Sequence, residues 1–120
     1  MPAEIYEVLH ILGIAWLFAA LGGAVMHALN GGDKASNKAR KLMAASHGIA
    51  LVIILVAGFG LLAKKGLAFG TWVYVKLALW LLLGASLTLI QKKPAMARAF
   101  WFILPLLAAA GAYLAVYKPG

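Results

Sequence analysis

Four side chains in this sequence could do chemistry inside an otherwise apolar chain: His10, His27, His47 and Lys76. An imidazole can hold a metal ion or haem iron, and an ammonium can pair with a carboxylate or a phosphate. Lys76 lies in residues 70–90, GTWVYVKLALWLLLGASLTLI, a stretch long and apolar enough to cross a bilayer. Trp72, Lys76 and Trp80 are spaced i, i+4, i+8 and so fall in one stripe on a helix face. An ionisable residue within a membrane span marks a site by default. The competing reading is that Lys76, only about six residues or roughly 9 Å into the span, snorkels its ammonium to the headgroups.

Depth sorts these residues into two pairs. His10, near the start of the first apolar run, lies at the depth of Lys76. His27, near the end of that run, lies at the depth of His47, which is about one and a half turns inside the second run. His10 and His27 point about 100° apart around their helix and lie roughly 25 Å apart along it, so one cofactor cannot use both, although two could. Haem iron takes a histidine and a second axial ligand of varied type between the helices of a bundle. His10, Lys76, His27 and His47 are therefore the candidate cofactor-binding residues. His47 shares a face with Leu51, Ile54 and Gly58, and a glycine there leaves room for a flat macrocycle or for close helix packing. For each histidine the alternative is a ring resting at the headgroups.

Other chemistries have little support. Four-coordinate zinc wants several converging ligands, and Asp33 is the only acid near any histidine pair. Ser46 and His47 are adjacent, but no acid is placed to orient the ring for nucleophilic catalysis. No Asp or Glu lies at mid-membrane to relay protons. The absence of cysteine excludes disulfides, thiolate metal sites and cysteine nucleophiles.

The elements that must position these residues follow from composition. Of 120 residues, 65% are hydrophobic and only 12% charged, with a mean hydropathy of +0.96, which is a membrane composition. The net charge of +8 does not point to nucleic acid, because the bases cluster at the ends of apolar runs. The N-terminal segment carries Glu4 and Glu7 and no base, so it lacks the basic region of a cleaved signal and the first helix is expected to stay. Four apolar runs, at residues 5–29, 42–63, 67–90 and 99–116, are each close to the roughly 20 residues that cross a bilayer. Helices are the structures that satisfy their own backbone there.

Turn signals separate the runs: Gly31, Gly32, Asp33, Ser36 and Asn37, then Gly66, then Pro94. Such short links join antiparallel neighbours. The expected fold is all-α, a polytopic membrane protein with four transmembrane helices in an up-down-up-down bundle, residues 1–120 forming one domain. Lys34, Lys38, Arg40, Lys41, Lys92, Lys93 and Arg98 lie in the first and third links, against Lys64, Lys65 and Lys118 on the other side. That asymmetry predicts that the first and third links are cytoplasmic and both termini lie on the non-cytoplasmic side. Trp72, Tyr74, Tyr6, Tyr113 and Tyr117 would then form an aromatic belt near the outer boundary. Small residues, Gly13, Gly22, Gly23, Gly58, Gly60, Gly84, Ser86 and the series Ala108, Gly111, Ala112, Ala115, are expected at helix contacts, and Pro105 is expected to kink the fourth helix.

With those residues in view, the chain resembles the small four-helix bacterial membrane proteins of the HemJ-like protoporphyrinogen oxidase and CopD-like group. The resembling stretches are LHILGIAWLFAALGG at residues 9–23, WVYVKLALWLLL at 72–83, and the tail from Leu104-Pro105-Leu106 through Val116-Tyr117-Lys118-Pro119. The resemblance implies b-type haem, with the first-helix histidine, His10, as an iron ligand and the third-helix lysine, Lys76, as the other functional residue. Where the family has an arginine later in helix one, this chain has Gly22, Gly23 and Met26, and where it has a histidine near the end of helix three, this chain has Gly84 and Ala85. The resemblance thus implies a small bacterial inner-membrane protein binding haem b, in electron transfer or tetrapyrrole redox chemistry. The alternative is an accessory subunit, or a homo-oligomeric helix bundle, of a larger membrane complex.

Overall fold

The structure, a computed structural model, describes residues 2–119. Four helices account for most of them: α1 (Ala3–Leu29), α2 (Arg40–Lys65), α3 (Thr71–Lys92) and α4 (Ala97–Tyr117), with a single 3-10 turn at Pro94–Met96 leading into the last. No strand occurs among the described residues. Each of the four helices is long and apolar enough to cross a membrane, so the chain is an all-α, multi-pass membrane protein.

The helix ends follow from the glycines between them. At the end of α1, Gly31 adopts φ +81° while the Gly32 amide donates to the His27 carbonyl at 2.9 Å and the Gly31 amide to Ala28 at 3.0 Å. At the end of α2, Gly66 sits at φ +62°, the Leu67 amide donates to Leu62 at 3.0 Å, and the Leu67 side chain packs against the cluster containing Leu62. Both are left-handed glycine stops in which an orphan carbonyl pair is recaptured. Because the second stop falls at Gly66, α3 begins at Thr71 rather than at Leu67, and residues 67–70 cross the end of the bundle as irregular chain.

Three contacts fix the up-down-up-down order. Glu7 near the start of α1 pairs with Lys65 at the end of α2 at 2.8 Å. The Trp72 amide at the start of α3 donates to the Pro119 carbonyl beyond α4 at 3.1 Å. At the opposite end Ile90 of α3 and Ala97 of α4 share a core with Ala24 and Val25 of α1. That core, completed by Leu17, Leu21, Ala50, Leu87, Phe100 and Leu104, closes the half of the bundle nearest the first and third links. Buried Ser86 is satisfied by donating to the Leu82 carbonyl one turn back at 2.8 Å. The outward faces carry Val8, Val52, Leu81, Phe102, Leu106 and Val116, all well exposed and suited to lipid.

Glycine sets the α1–α2 seam. A Cβ at Gly13 would fall 2.8 Å from Ile54 Cγ1 and 3.2 Å from the Ala50 carbonyl oxygen, and a Cβ at Gly60 would overlap the Tyr6 ring. Tyr6 is thus a packing residue of this seam. In lipid, where no hydrophobic force draws helices together, such close backbone approach supplies the packing energy. The small residues of α4 behave differently: nothing lies within 4 Å of a Cβ placed at Gly111. Pro105 is accommodated inside α4 on an exposed face, without interrupting the helix.

The first link is ordered by its own polar groups. Asp33 Oδ1 accepts from the Ser36 amide at 2.8 Å, and the Ser36 hydroxyl lies 2.9 Å from the Asp33 amide, which donates to it. The Ser36 amide, and then its hydroxyl, hold the exposed Asp33 carboxyl below the usual carboxylate range. A depressed pKa stabilises the loop fully above the unfolded carboxyl's value of about 3.9, and that support is lost as pH falls through Asp33's own lower value. We expect an NMR titration to place the Asp33 midpoint below that of an aspartate in unfolded peptide, and Ser36→Ala to move it part of the way back.

Candidate functional site

The four helices diverge beyond the closed core. Toward the end that carries both termini they line an open-mouthed cavity of 510 Å³, inside the range of about 300–1,000 Å³ usual for small-molecule sites. Its walls are mostly apolar, from Ile14, Leu55, Leu77 and Leu107 among others, and every helix contributes. The polar groups on the walls are few: Glu7 and His10 from α1, Lys65 from α2, Trp72, Lys76 and Trp80 from α3, and Lys118 after α4. On α4, Ala108, Gly111, Ala112 and Ala115 form part of the wall, so this series makes room for the cavity instead of docking on a neighbouring helix.

His10 is the most constrained of these groups. Its Nδ1 lies 3.0 Å from the Ile54 carbonyl oxygen. A carbonyl only accepts, so Nδ1 carries the proton and Nε2 carries the lone pair. That carbonyl already takes the helical bond from the residue one turn on, which is Gly58. A Cβ at Gly58 would press on the His10 ring, 3.2 Å from Cε1, so the glycine is what lets the imidazole lie against α2 and share the carbonyl. No protein group among the described residues bonds to Nε2, and His10 lines the cavity. A histidine whose Nδ1–H is held by a backbone carbonyl is arranged as metal-binding histidines are.

Lys76 reaches the same cavity. Its ammonium stands 5.9 Å over the centre of the Trp72 ring, within cation–π range, and it has no carboxylate partner among the described residues. Trp72 is itself only 8% exposed, so it is a wall residue and not a member of the aromatic belt. Trp80, the third residue of the stripe, donates its indole N–H to the Leu51 carbonyl at 2.9 Å and ties α3 to α2. The stripe of Trp72, Lys76 and Trp80 therefore faces inward, toward the cavity.

No protein-family model, curated protein or solved structure matches this chain. The site's chemistry rests on its own geometry.

The structure brings His10 and Lys76 to one cavity and places the other two histidines elsewhere. His47 is buried, with Nε2 donating to the Leu83 carbonyl at 3.1 Å, a second cross-link between α2 and α3. Interhelical bonds of this kind are worth about 0.6 kcal/mol on average in membranes. His27 sits beside the first link, its Nε2 at 2.7 Å from the Asp33 carbonyl and 3.2 Å from the Ser36 hydroxyl. Neither lines the cavity. No group of three or more His, Cys, Asp and Glu that could hold a metal by itself is found among the described residues.

Sequence reasoning missed Lys118, the Ile54 carbonyl and the Glu7–Lys65 pair on the cavity wall. One signal was available for Lys118. It precedes Pro119, and the residue before a proline is pushed out of the right-handed helix, so α4 has to end there.

Proposed function

We propose that this small membrane protein binds an amphipathic ring, haem b or a related tetrapyrrole, in the cavity at its wide end, and acts in electron transfer or tetrapyrrole redox chemistry. The observation that carries this reading is the His10 imidazole, fixed by Ile54 as the Nδ1–H form with its Nε2 unclaimed on the wall of an apolar cavity. These residues fit the group. His10 Nε2 would take the iron, Lys76 would pair with a ring carboxylate or sit as the second ligand, and the aliphatic walls and the α4 glycine would receive the flat macrocycle. A bound haem supplies one-electron chemistry.

What the chain itself does is bind, orient and exclude water. Ile54 and Gly58 set the imidazole's angle, Trp72 holds the Lys76 ammonium in place, and the closed core beneath keeps the floor dry. His27 and His47 have no part in this reading, since neither lines the cavity. By the excess of bases at the closed end, the cavity faces the non-cytoplasmic side of a bacterial inner membrane.

The test is a visible spectrum, oxidised and reduced, of protein purified in mild detergent after expression with haem supplied. A Soret band is expected in the wild type, absent in His10→Ala and retained in His27→Ala and His47→Ala. A colourless wild type would overturn the reading and leave an accessory subunit or oligomeric bundle, to be sought through co-purifying partners.

A further inference from the structure

The wide end holds more positive charge than the cavity's own residues neutralise. Glu7 is paired with Lys65, and among the described residues no other acidic side chain lines the cavity. Lys76 and Lys118 are left, and both address the same indole: the Lys118 ammonium stands 5.7 Å over the Trp72 ring centre and that of Lys76 stands 5.9 Å over it. Lys118 gets there by a backbone reversal. It ends α4 at φ 48°, ψ 54°, a left-handed conformation unusual for a residue with a Cβ. The reversal is locked from two sides, by the Pro119 carbonyl on the Trp72 amide at 3.1 Å and by the Lys118 amide on the Leu114 carbonyl at 3.0 Å. One of the three ammonium protons of Lys118 goes to the Ala115 carbonyl at 2.6 Å, which leaves two for a ligand.

Two like charges gathered on one aromatic ring, at the mouth of an apolar cavity and with no acidic side chain of the described residues paired to either, make an arrangement that an anion would relieve. We infer that Lys76 and Lys118, assembled around Trp72 by the folded-back tail, form a clamp for the carboxylate of an amphiphile whose apolar body occupies the cavity. This rests on the reading of the cavity as a ligand site, though not on iron. Were the occupant a haem, His10 would address its iron and the clamp its acidic edge; a fatty acid would use the clamp alone. The occupant is thereby specified as an acid, either a tetrapyrrole carboxylate or a long-chain fatty acid.

The test uses the full chain in detergent or nanodiscs, with quenching of tryptophan fluorescence as the readout. One arm compares metal-free protoporphyrin with its dimethyl ester, and the other compares palmitate with hexadecanol. The wild type is expected to bind the acid of at least one pair about tenfold or more tightly than its neutral analogue. Lys76→Gln and Lys118→Gln should each remove most of that preference while leaving the neutral analogue's affinity unchanged, and Lys118→Arg should restore it. The arm that shows the preference identifies the acid as tetrapyrrole or lipid-derived. Equal binding of acid and neutral analogue in both arms, or a preference that survives both glutamine variants, would overturn the clamp. Lys118 is exposed beyond the last helix, so its variants carry the test even if Lys76→Gln fails to fold. His10→Ala should keep the acid preference. A wild type without a Soret band that still prefers acids would therefore sink the haem reading and leave the clamp standing.

Discussion

Replacing Gly111 by phenylalanine is expected to leave the protein at least as stable as before while removing its capacity to hold an amphiphile. The position lies within α4, where glycine costs about 0.8–1.0 kcal/mol relative to alanine and phenylalanine recovers part of that. No atom lies within 4 Å of a Cβ built there, and the residue lines the cavity, so the ring would grow into empty space instead of into a neighbouring helix. A ligand would then have to share 510 Å³ with a benzyl group. Overpacking of that kind costs about 1–3 kcal/mol, or about a 5- to 150-fold loss of affinity. The measurements are a thermal melt in detergent and the same fluorescence titration applied to the wild type. A fall in melting temperature would mean that α4 packs tightly on another helix at Gly111 and that the wide end is closed. Unchanged affinity would put the ligand somewhere other than this cavity.

Much of the fold was legible because lipid permits so little. Apolar runs of bilayer length, separated by glycine, proline and basic residues, leave helices as the available spanning structure, and links this short force neighbours to alternate in direction. The site was half legible. Depth along the helix is a one-dimensional quantity that sequence position carries directly, so His10 and Lys76 could be matched in height, and the i, i+4, i+8 stripe could be recognised as one face. Which face points inward is a packing question. Gly13, Gly60, Gly111 and Ala112 look alike as small residues in apolar helices, yet the first two are pressed by Ile54 and Tyr6 while the last two border a cavity. Nothing local distinguishes close approach from deliberate space, since both call for the absence of a side chain. Lys118 was hidden for another reason. Its role depends on a backbone reversal that brings the tail onto Trp72, a contact between residues far apart in the chain.

The same comparison of glycines gives the opposite expectation at Gly13. Leucine there would have to displace Ile54, whose Cγ1 would be 2.8 Å from the new Cβ, and would press the Ala50 carbonyl oxygen at 3.2 Å. Rotating Ile54 relieves only the first contact. The second is backbone, and relieving it means moving α2 away from α1. The expected cost is about 1–3 kcal/mol or more, larger than the roughly 0.8 kcal/mol of helix propensity that leucine restores. The damage would not stop at stability. Ile54 also supplies the carbonyl that holds His10 Nδ1, so separating the helices at Gly13 lengthens that bond and frees the imidazole to rotate. Gly13→Leu should therefore lower the melting temperature and weaken iron-dependent ligand binding together, whereas Gly111→Phe should weaken binding alone. His10→Ala provides the third corner: binding through iron lost, with the α1–α2 seam intact. Should Gly13→Leu melt like the wild type, the close approach of α1 and α2 would be wrong, and with it the geometry that points His10 Nε2 at the cavity.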